Sequence, residues 1–434
     1  MRALVVFSGI LALASCGTGP QAPQGSTFGP DPTLVEPTHA LIPTVKIAPA
    51  TGWPQGMGPT AATGFAVKAF ATGLDHPRWL YVLPDGDVLV AETNAPPKPD
   101  DSKGIKGFFM NLIMKDAGAA VPSPNKLILL RDGDGDGVAE TRTTFAEGLN
   151  SPFGIALIGD ALYVADADAI VKFPYRDGDT RAMAAPVKMA DLPAGPINHH
   201  WTKNIVASPD GLSLYATIGS NSNAGENGLA AEAGRAQIIR IDLASGAESE
   251  VAGGLRNPNG MDWQPQSGQL WTVVNERDEL GNDLVPDYMT SVKPGAFYGW
   301  PYSYYGQHID SRVKPQNPGM VAKAIAPDYA LGAHTASLGL TFYRGEAFAA
   351  HYRGGAFIGQ HGSWNRATPA GYKVVFVPFA DGRPSGPPED ILTGFLSSDG
   401  KAMGRPVGVI TDKTGALLVA DDVGNVIWRV TPAQ

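Results

Sequence analysis

One strand–turn–strand pattern returns six times along this chain and leaves few folds open. A Pro or Gly turn leads into an apolar strand, a Pro-Asp-Gly-like turn follows, and a second apolar strand closes the unit. The copies begin at His76 (HPRWLYVLPDGDVLVAET), Ser151 (SPFGIALIGDALYVADADAIVKF), His200 (HWTKNIVASPDGLSLYATIGS), Asn257 (NPNGMDWQPQSGQLWTVVNE), Ser337 (SLGLTFYRGEAFAAHYRGGAFIGQHGSW) and Arg405 (RPVGVITDKTGALLVADDVGNVIWRV). Each holds two β-rich runs bounded by turn residues and reads as a hairpin. Several copies extend to further strands, as at 236–246 and 372–379. Six four-stranded antiparallel units around an axis make an all-β, six-bladed β-propeller. A pair of β-sandwiches fits less well, because the copies lie about 50–80 residues apart with long inserts. With 53 Gly and 37 Pro in 434 residues, long helices are disfavoured and turns are plentiful. Propellers carry their chemistry on loops at one end of the channel, and the longest loops fall at 93–124, 275–336 and 360–371.

The chain starts with Met1-Arg2, an apolar run, and Leu13-Ala14-Ser15-Cys16. A short positive start, an apolar stretch and small residues describe an export signal over 1–15. The tetrad at 13–16 resembles the bacterial lipobox, which makes Cys16 the lipidation point. A plain secretory peptide or a short anchor is the alternative, although the run is too short to span a bilayer. Residues 16–62 are Pro- and Gly-rich and read as a lipidated tether, with 63–434 as the propeller catalytic domain. The location this implies is the cell envelope, facing the periplasm and held by the lipid alone; the absence of Asp at position 17 points to the outer membrane. Cys16 is the single cysteine, so no intramolecular disulfide forms. A net charge of −9 argues against a nucleic-acid partner.

Three constellations have the residue types for chemistry. In RDGDGDGVAE, Asp132, Asp134 and Asp136 alternate before Gly137, as at the start of a D-x-D-x-D-G calcium loop. The twelfth-position Glu is missing, and a solvated acidic turn fits as well as a structural Ca²⁺ site. His199 and His200 are adjacent, so on extended chain only one faces a given pocket. No third His or Cys stands at a ligand spacing. A general base near neutral pH competes with a plain structural pair. Arg256, Arg366 and Arg405 precede or lie close to inner strands of different copies. Scattered surface arginines and one cationic mouth for a polycarboxylate are equally good readings.

The stretches HHWTKNI, LRNPNG, VNERDELGNDLVPDY, FYGWPYSY, FIGQHGSWNR, GYKVVFVPF and GRPVGV…LLVADDVGNVIWRV resemble the pyrroloquinoline quinone (PQQ)-dependent sugar dehydrogenases, above all the L-sorbosone dehydrogenase-like and pyranose dehydrogenase-like branch. The resemblance covers roughly 65–432. It implies a quinoprotein that oxidises a sugar, an aldose or an aldosulose such as sorbosone, by hydride transfer to PQQ with Ca²⁺ as a second cofactor. The family's base falls on His200, and its Arg-Asn pair beside the quinone falls on Arg256 and Asn257. Arg366 and Arg405 would hold carboxylates, and Trp364 or Arg366 stands in for a cofactor-contacting Lys that has no counterpart. His199 takes the place of an Asp that orients the base in soluble glucose dehydrogenases. A Glu-x-Gly-Pro turn that holds Ca²⁺ there corresponds to Asn275–Asp278, so the carbonyls of Arg277 and Asp278 become the implied metal donors. No C-x-x-C-H haem motif is present, so electrons leave to a quinone or a cytochrome. A calcium-dependent lactonase-type hydrolase and a non-catalytic envelope-binding propeller are the rival readings.

Overall fold

The computed structural model describes residues 20–39, 44–97 and 121–433. The second strands of the repeats are apolar on both faces, so each must be covered on two sides. In Val88–Glu92, Val88 and Val90 join the core with Leu418 and Ile427, whereas Leu89 and Ala91 join the core with Phe153, Leu162 and Val164. A strand's alternation sends successive side chains to opposite faces. Each sheet is therefore sandwiched between two others, and six apolar clusters, one per interface, fill the gaps.

Six antiparallel sheets result. Blade 1 is Pro77–Val82, Val88–Glu92, Lys126–Arg131 and Thr141–Glu147; blade 2 is Ile155–Ile158, Ala161–Ala165, Ala169–Pro174 and Val187–Asp191. Blade 3 is Ile205–Ala207, Ser213–Ile218, Gln237–Asp242 and Glu248–Gly253; blade 4 is Pro258–Trp263, Leu270–Val274, Pro286–Ser291 and Tyr329–Ala333. Blade 5 is Ser337–Phe342, Ala356–Gln360, Lys373–Val377 and Glu389–Thr393; blade 6 is Pro406–Thr411, Leu417–Asp421 and Val426–Pro432. Each of the six copies supplies an inner strand, and the inner strands contact one another in a closed ring. Glycine permits that closeness. A Cβ on Gly339 would stand 2.1 Å from the Val407 carbonyl, and one on Gly260 2.6 Å from the Leu338 carbonyl.

Blade 6 takes its fourth strand from the start of the chain. Phe65–Ala71 pairs antiparallel with Val426–Pro432, which ties the two ends of the domain together. The Pro/Gly-rich stretch expected as a tether also packs on the propeller where it is described. Phe28–Gly29 adds a fifth strand to blade 4, and Thr60–Ala61 adds one to blade 5. The export signal and Cys16 lie outside the described residues. No described helix is long and apolar enough to cross a membrane.

The stretch 275–336 is not one loop, since it contains Pro286–Ser291 and Tyr329–Ala333 of blade 4. Its remaining parts are a short mouth loop at 275–285 and an insert at 292–328. That insert pairs with the outer edge of blade 3 through Ala296–Phe297. It also brings Asp310 and Arg312 to the mouth loop, where they bond to Arg277 and Asp278.

Candidate functional site

Every inner strand starts at the same end of the channel. That end therefore gathers the residues just before or at the strand starts, His76 and Arg78, Trp201, Arg256 and Asn257, His334, and Arg405. The loops after the second strands reach the same mouth and carry Ser220, Asp278, His361 and Asp422. A cavity of about 430 Å³ opens there between Arg78, Asn94, Asp168, His199, Trp201 and His361. A larger one, about 780 Å³, opens at the opposite mouth around the far ends of the inner strands, away from His200. The buried histidines and the ends of the inner strands that carry Arg256 and Arg405 belong to the first.

His200 is half-buried, and its tautomer follows from its partners. Nδ1 lies 2.8 Å from the Ser220 carbonyl and 3.0 Å from Ser220 Oγ. The Ser220 hydroxyl donates its own hydrogen to the Ser222 carbonyl at 2.7 Å, so both Ser220 oxygens act as acceptors toward the ring. Nδ1 therefore carries the proton and Nε2 keeps its lone pair. Burial, followed by the Arg256 guanidinium, holds the His200 pKa well below the usual histidine value. Gly219, just before Ser220, packs against both His200 and Asn257: a Cβ on it would lie 2.5 Å from His200 Cβ and 2.5 Å from Asn257 Oδ1. The base position and the start of blade 4 thus both pack on Gly219.

Arg256 is fixed by five acceptors. Nε bonds the Asn223 carbonyl (3.2 Å), Nη1 the Asn275 and Glu276 carbonyls (3.3 and 2.6 Å), and Nη2 Asn223 Oδ1 and Asp278 (3.0 and 3.2 Å). With all five N–H groups committed, it acts on the mouth through its charge. Its neighbour Asn257 has a buried Oδ1 with no partner.

Arg405 and Arg78 form a second cationic pair. Arg405 is buried over the Tyr372 ring (4.9 Å), and the Arg78 side chain, 11% exposed, lies over the Trp201 ring (5.6 Å). Asp422 balances them, with Arg78 Nε at 3.5 Å, His361 Nε2 at 2.9 Å and His76 Nε2 at 3.6 Å. The buried Nε atoms of Arg405 and Arg78 have no hydrogen-bond acceptor among the described residues. Arg405, with its spare Nε–H, and Arg78, whose Nε meets only Asp422 at 3.5 Å, suit the carboxylates of a small anion at this mouth. Burial pushes His361 down to about 4, although Asp422 opposes the shift.

The other expected residues lie elsewhere. Arg366 turns away from this pair to Asp283 (2.7 Å) and the Asn282 carbonyl (3.0 Å), beneath the N-terminal segment. Trp364 is half-buried, and its carbonyl accepts from the Lys46 N–H. The Asp278 carbonyl, an implied metal donor, already accepts from Arg312 Nη1 (2.9 Å) and Asn223 Nδ2 (3.1 Å). The Asp278 carboxylate faces Arg256 and His334. The Arg277 guanidinium is buried between Glu276 and Asp310. A divalent cation does not fit this turn while Arg312 and Asn223 hold that carbonyl. Asp132, Asp134 and Asp136 gather with Glu140, ligand oxygens within 4.8 Å of one another, on the turn joining the last two strands of blade 1. That turn lies at the far end of the blade from the mouth. Arg78, Ser220, His361, Asp422 and Arg312 were not anticipated. Arg78 stands inside the first copy and was readable by position; Ser220 and Arg312 become neighbours of their partners only on folding.

Two relatives, two solved structures and one family are similar to this chain. An uncharacterized protein of Borreliella burgdorferi is 33% identical, covering 66% of this chain and 77% of that protein. A pyrroloquinoline quinone-dependent pyranose dehydrogenase of Coprinopsis cinerea is 24% identical across 85% of this chain, which spans only 54% of that protein's length. Among solved structures, the holo PQQ domain of the Coprinopsis cinerea pyranose dehydrogenase (TM-score 0.69, 20% identity, 89% of this chain and 100% of that one) shares the fold. So does a Trichoderma reesei AA12 enzyme described as a calcium structure (TM-score 0.69, 19% identity, 90% and 99%). The family described as "Domain of unknown function (DUF7133)" matches residues 61–427, nearly the whole propeller, and the chain belongs to it.

Proposed function

We propose that this chain is a quinoprotein sugar dehydrogenase, with PQQ and Ca²⁺ as cofactors. The observation that carries the reading is a histidine whose Nε2 keeps its lone pair, placed at the same channel end as Arg78 and as Arg405, whose buried Nε has no acceptor. The likeness to the pyranose dehydrogenase supports it. PQQ, a planar tricarboxylate, matches the spare donors of Arg78 and Arg405. When bound, it supplies a quinone carbonyl that accepts a hydride and its two electrons.

The chain's own residues do the rest. His200 Nε2 takes the proton from the hydroxyl of the sugar's reacting carbon as the C–H bond breaks. Arg256, close enough to lower the His200 pKa, keeps the imidazole neutral until that moment and favours negative charge developing nearby. Arg405 and Arg78 hold the cofactor's carboxylates, and Trp201 walls the cavity. Ca²⁺ would need the Asp278 carbonyl, which is bonded to Arg312 and Asn223. An aldose or aldosulose substrate, a quinone or cytochrome acceptor, and a lipid-anchored position facing the periplasm complete the proposal.

The test is absorbance titration of the purified protein with PQQ in the presence of Ca²⁺, followed by dye reduction with a panel of aldoses. Uptake of PQQ with turnover that His200→Ala abolishes is the expected result. No PQQ spectrum and no oxidation of any sugar would end the reading; lactone hydrolysis without PQQ would favour the hydrolase instead.

A further inference from the structure

We infer that Arg235 is a positioning residue for His200, acting through the two loop segments that hold the ring. The inference rests on His200 as the base. Arg235 is buried at the start of the third strand of blade 3 and never touches the imidazole. Its Nη1 bonds Asn198 Oδ1 (3.1 Å) and the Gly219 carbonyl (3.3 Å). Its Nη2 bonds the carbonyls of Pro193 (3.0 Å), Ala194 and Ile197 (3.4 Å). The first segment, 193–198, runs directly into His199 and His200. The second, at Gly219, runs directly into Ser220, the acceptor of the His200 Nδ1 proton. One guanidinium thus joins the backbone that carries the base to the backbone that sets its tautomer.

Lys203 reinforces the joint from below. Fully buried, it donates to the His200 carbonyl (3.3 Å) and to the same Asn198 Oδ1 (3.4 Å). Glu232, three residues before Arg235, accepts from the Asn221 N–H (2.7 Å) and the Ser222 hydroxyl, which steadies the rest of the Ser220 loop. A buried guanidinium and a buried lysine amine sharing one amide oxygen, with no carboxylate hydrogen-bonded to either among the described residues, are costly to fold. A pair of apolar side chains would fill the space at less expense. Five convergent bonds from one planar fork hold loop geometry in a way apolar contacts do not.

The experiment compares Arg235→Gln with Arg240→Gln, a control on the same strand whose side chain is exposed and bonds Ser213. Protein without PQQ is labelled with ¹⁵N-histidine, and the His200 signals are assigned by their loss in His200→Gln. In the wild type the ring is expected as the Nδ1–H tautomer with no protonation through pH 6.5. Arg235→Gln is expected to mix the two tautomers and move protonation upward, and to lower kcat of PQQ-loaded protein about 10²-fold with KM nearly unchanged. Arg240→Gln leaves all three readouts alone. If Arg235→Gln does not fold, Lys203→Met carries the same test. A folded variant with wild-type His200 signals overturns the inference, even if its activity drops with its Tm. Wild-type protein that binds PQQ but oxidises no sugar overturns the functional reading, and the tautomer measurement still decides the role of Arg235.

Discussion

Replacing Gly219 with Ala puts one methyl group where the structure has no room for it. The new Cβ would lie 2.5 Å from His200 Cβ, 3.3 Å from His200 Cγ and 2.5 Å from Asn257 Oδ1. Ordinary contact begins near 3.4 Å, so the methyl is roughly 1 Å too close on two sides at once. Asn257 Oδ1 is the end of a side chain and has no hydrogen-bond partner, so it can turn aside. His200 Cβ is fixed to its backbone, so relief on that side requires the residue itself to shift and carry the ring, held at Nδ1 by Ser220, with it. The ring therefore moves by up to about 1 Å, a misplacement that costs about 10²-fold in rate, or about 2.7 kcal/mol of transition-state stabilisation. Overpacking adds about 1–3 kcal/mol of destabilisation, which a domain of this size registers as a modest fall in Tm. The assay is steady-state dye reduction by PQQ-loaded Gly219→Ala protein beside wild type, with a thermal melt of each. A folded variant whose kcat matches wild type would show that the Gly219 contact does not place the base, and the reasoning would fail.

Other perturbations probe the rest of the mouth. Arg405→Met and Arg78→Met each remove a charge-assisted donor, and PQQ affinity should weaken about 10-fold or more in each; an unchanged absorbance titration would remove that pair as carboxylate ligands. His361 has a folded pKa near 4 against an unfolded value near 6.5. Between those values the unfolded chain binds a proton that the fold refuses, so stability should fall as pH drops from 6.5 toward 4. Melts across that window should show a flatter slope for His361→Asn, and an identical slope would count against it. Arg312→Ala removes the charged donor from the Asp278 carbonyl and leaves only Asn223 Nδ2 on it, so Ca²⁺ should bind several-fold more tightly by calorimetry; no gain in affinity would mean that Arg312 is not what bars the ion.

The blade pattern was legible because its causes are local. Alternating apolar residues, Pro and Gly turns, and a second strand apolar on both faces, as in Val88–Glu92, act over fewer than twenty residues. All six copies became inner and second strands. The strand Phe65–Ala71 was not assigned to blade 6, since its partner lies some 360 residues along the chain and its sequence, FAVKAFA, suits any open sheet edge. The N-terminal segment misled for a similar reason. Pro and Gly describe a tether in isolation, yet Phe28–Gly29 and Thr60–Ala61 find unpaired edges on blades 4 and 5.

The site divided along the same line. Chain position near the inner strands nominated Arg256, Arg366 and Arg405, and the family resemblance singled out His200 and Asn257 beside them. Which of their hydrogen-bonding groups stay open was settled by neighbours from other blades and loops. Asn223 and the 275–278 loop saturate Arg256, Asp283 draws Arg366 away, and Ser220 leaves Nε2 as the free nitrogen of His200. By itself the sequence determined the repeat, the turns and the residue types available for chemistry, since propensity and alternation are read over a few residues. Only the tertiary structure decided which charges are paired, which donors remain and which nitrogen holds the proton, because those depend on atoms a few ångströms apart in space and tens to hundreds of residues apart in sequence.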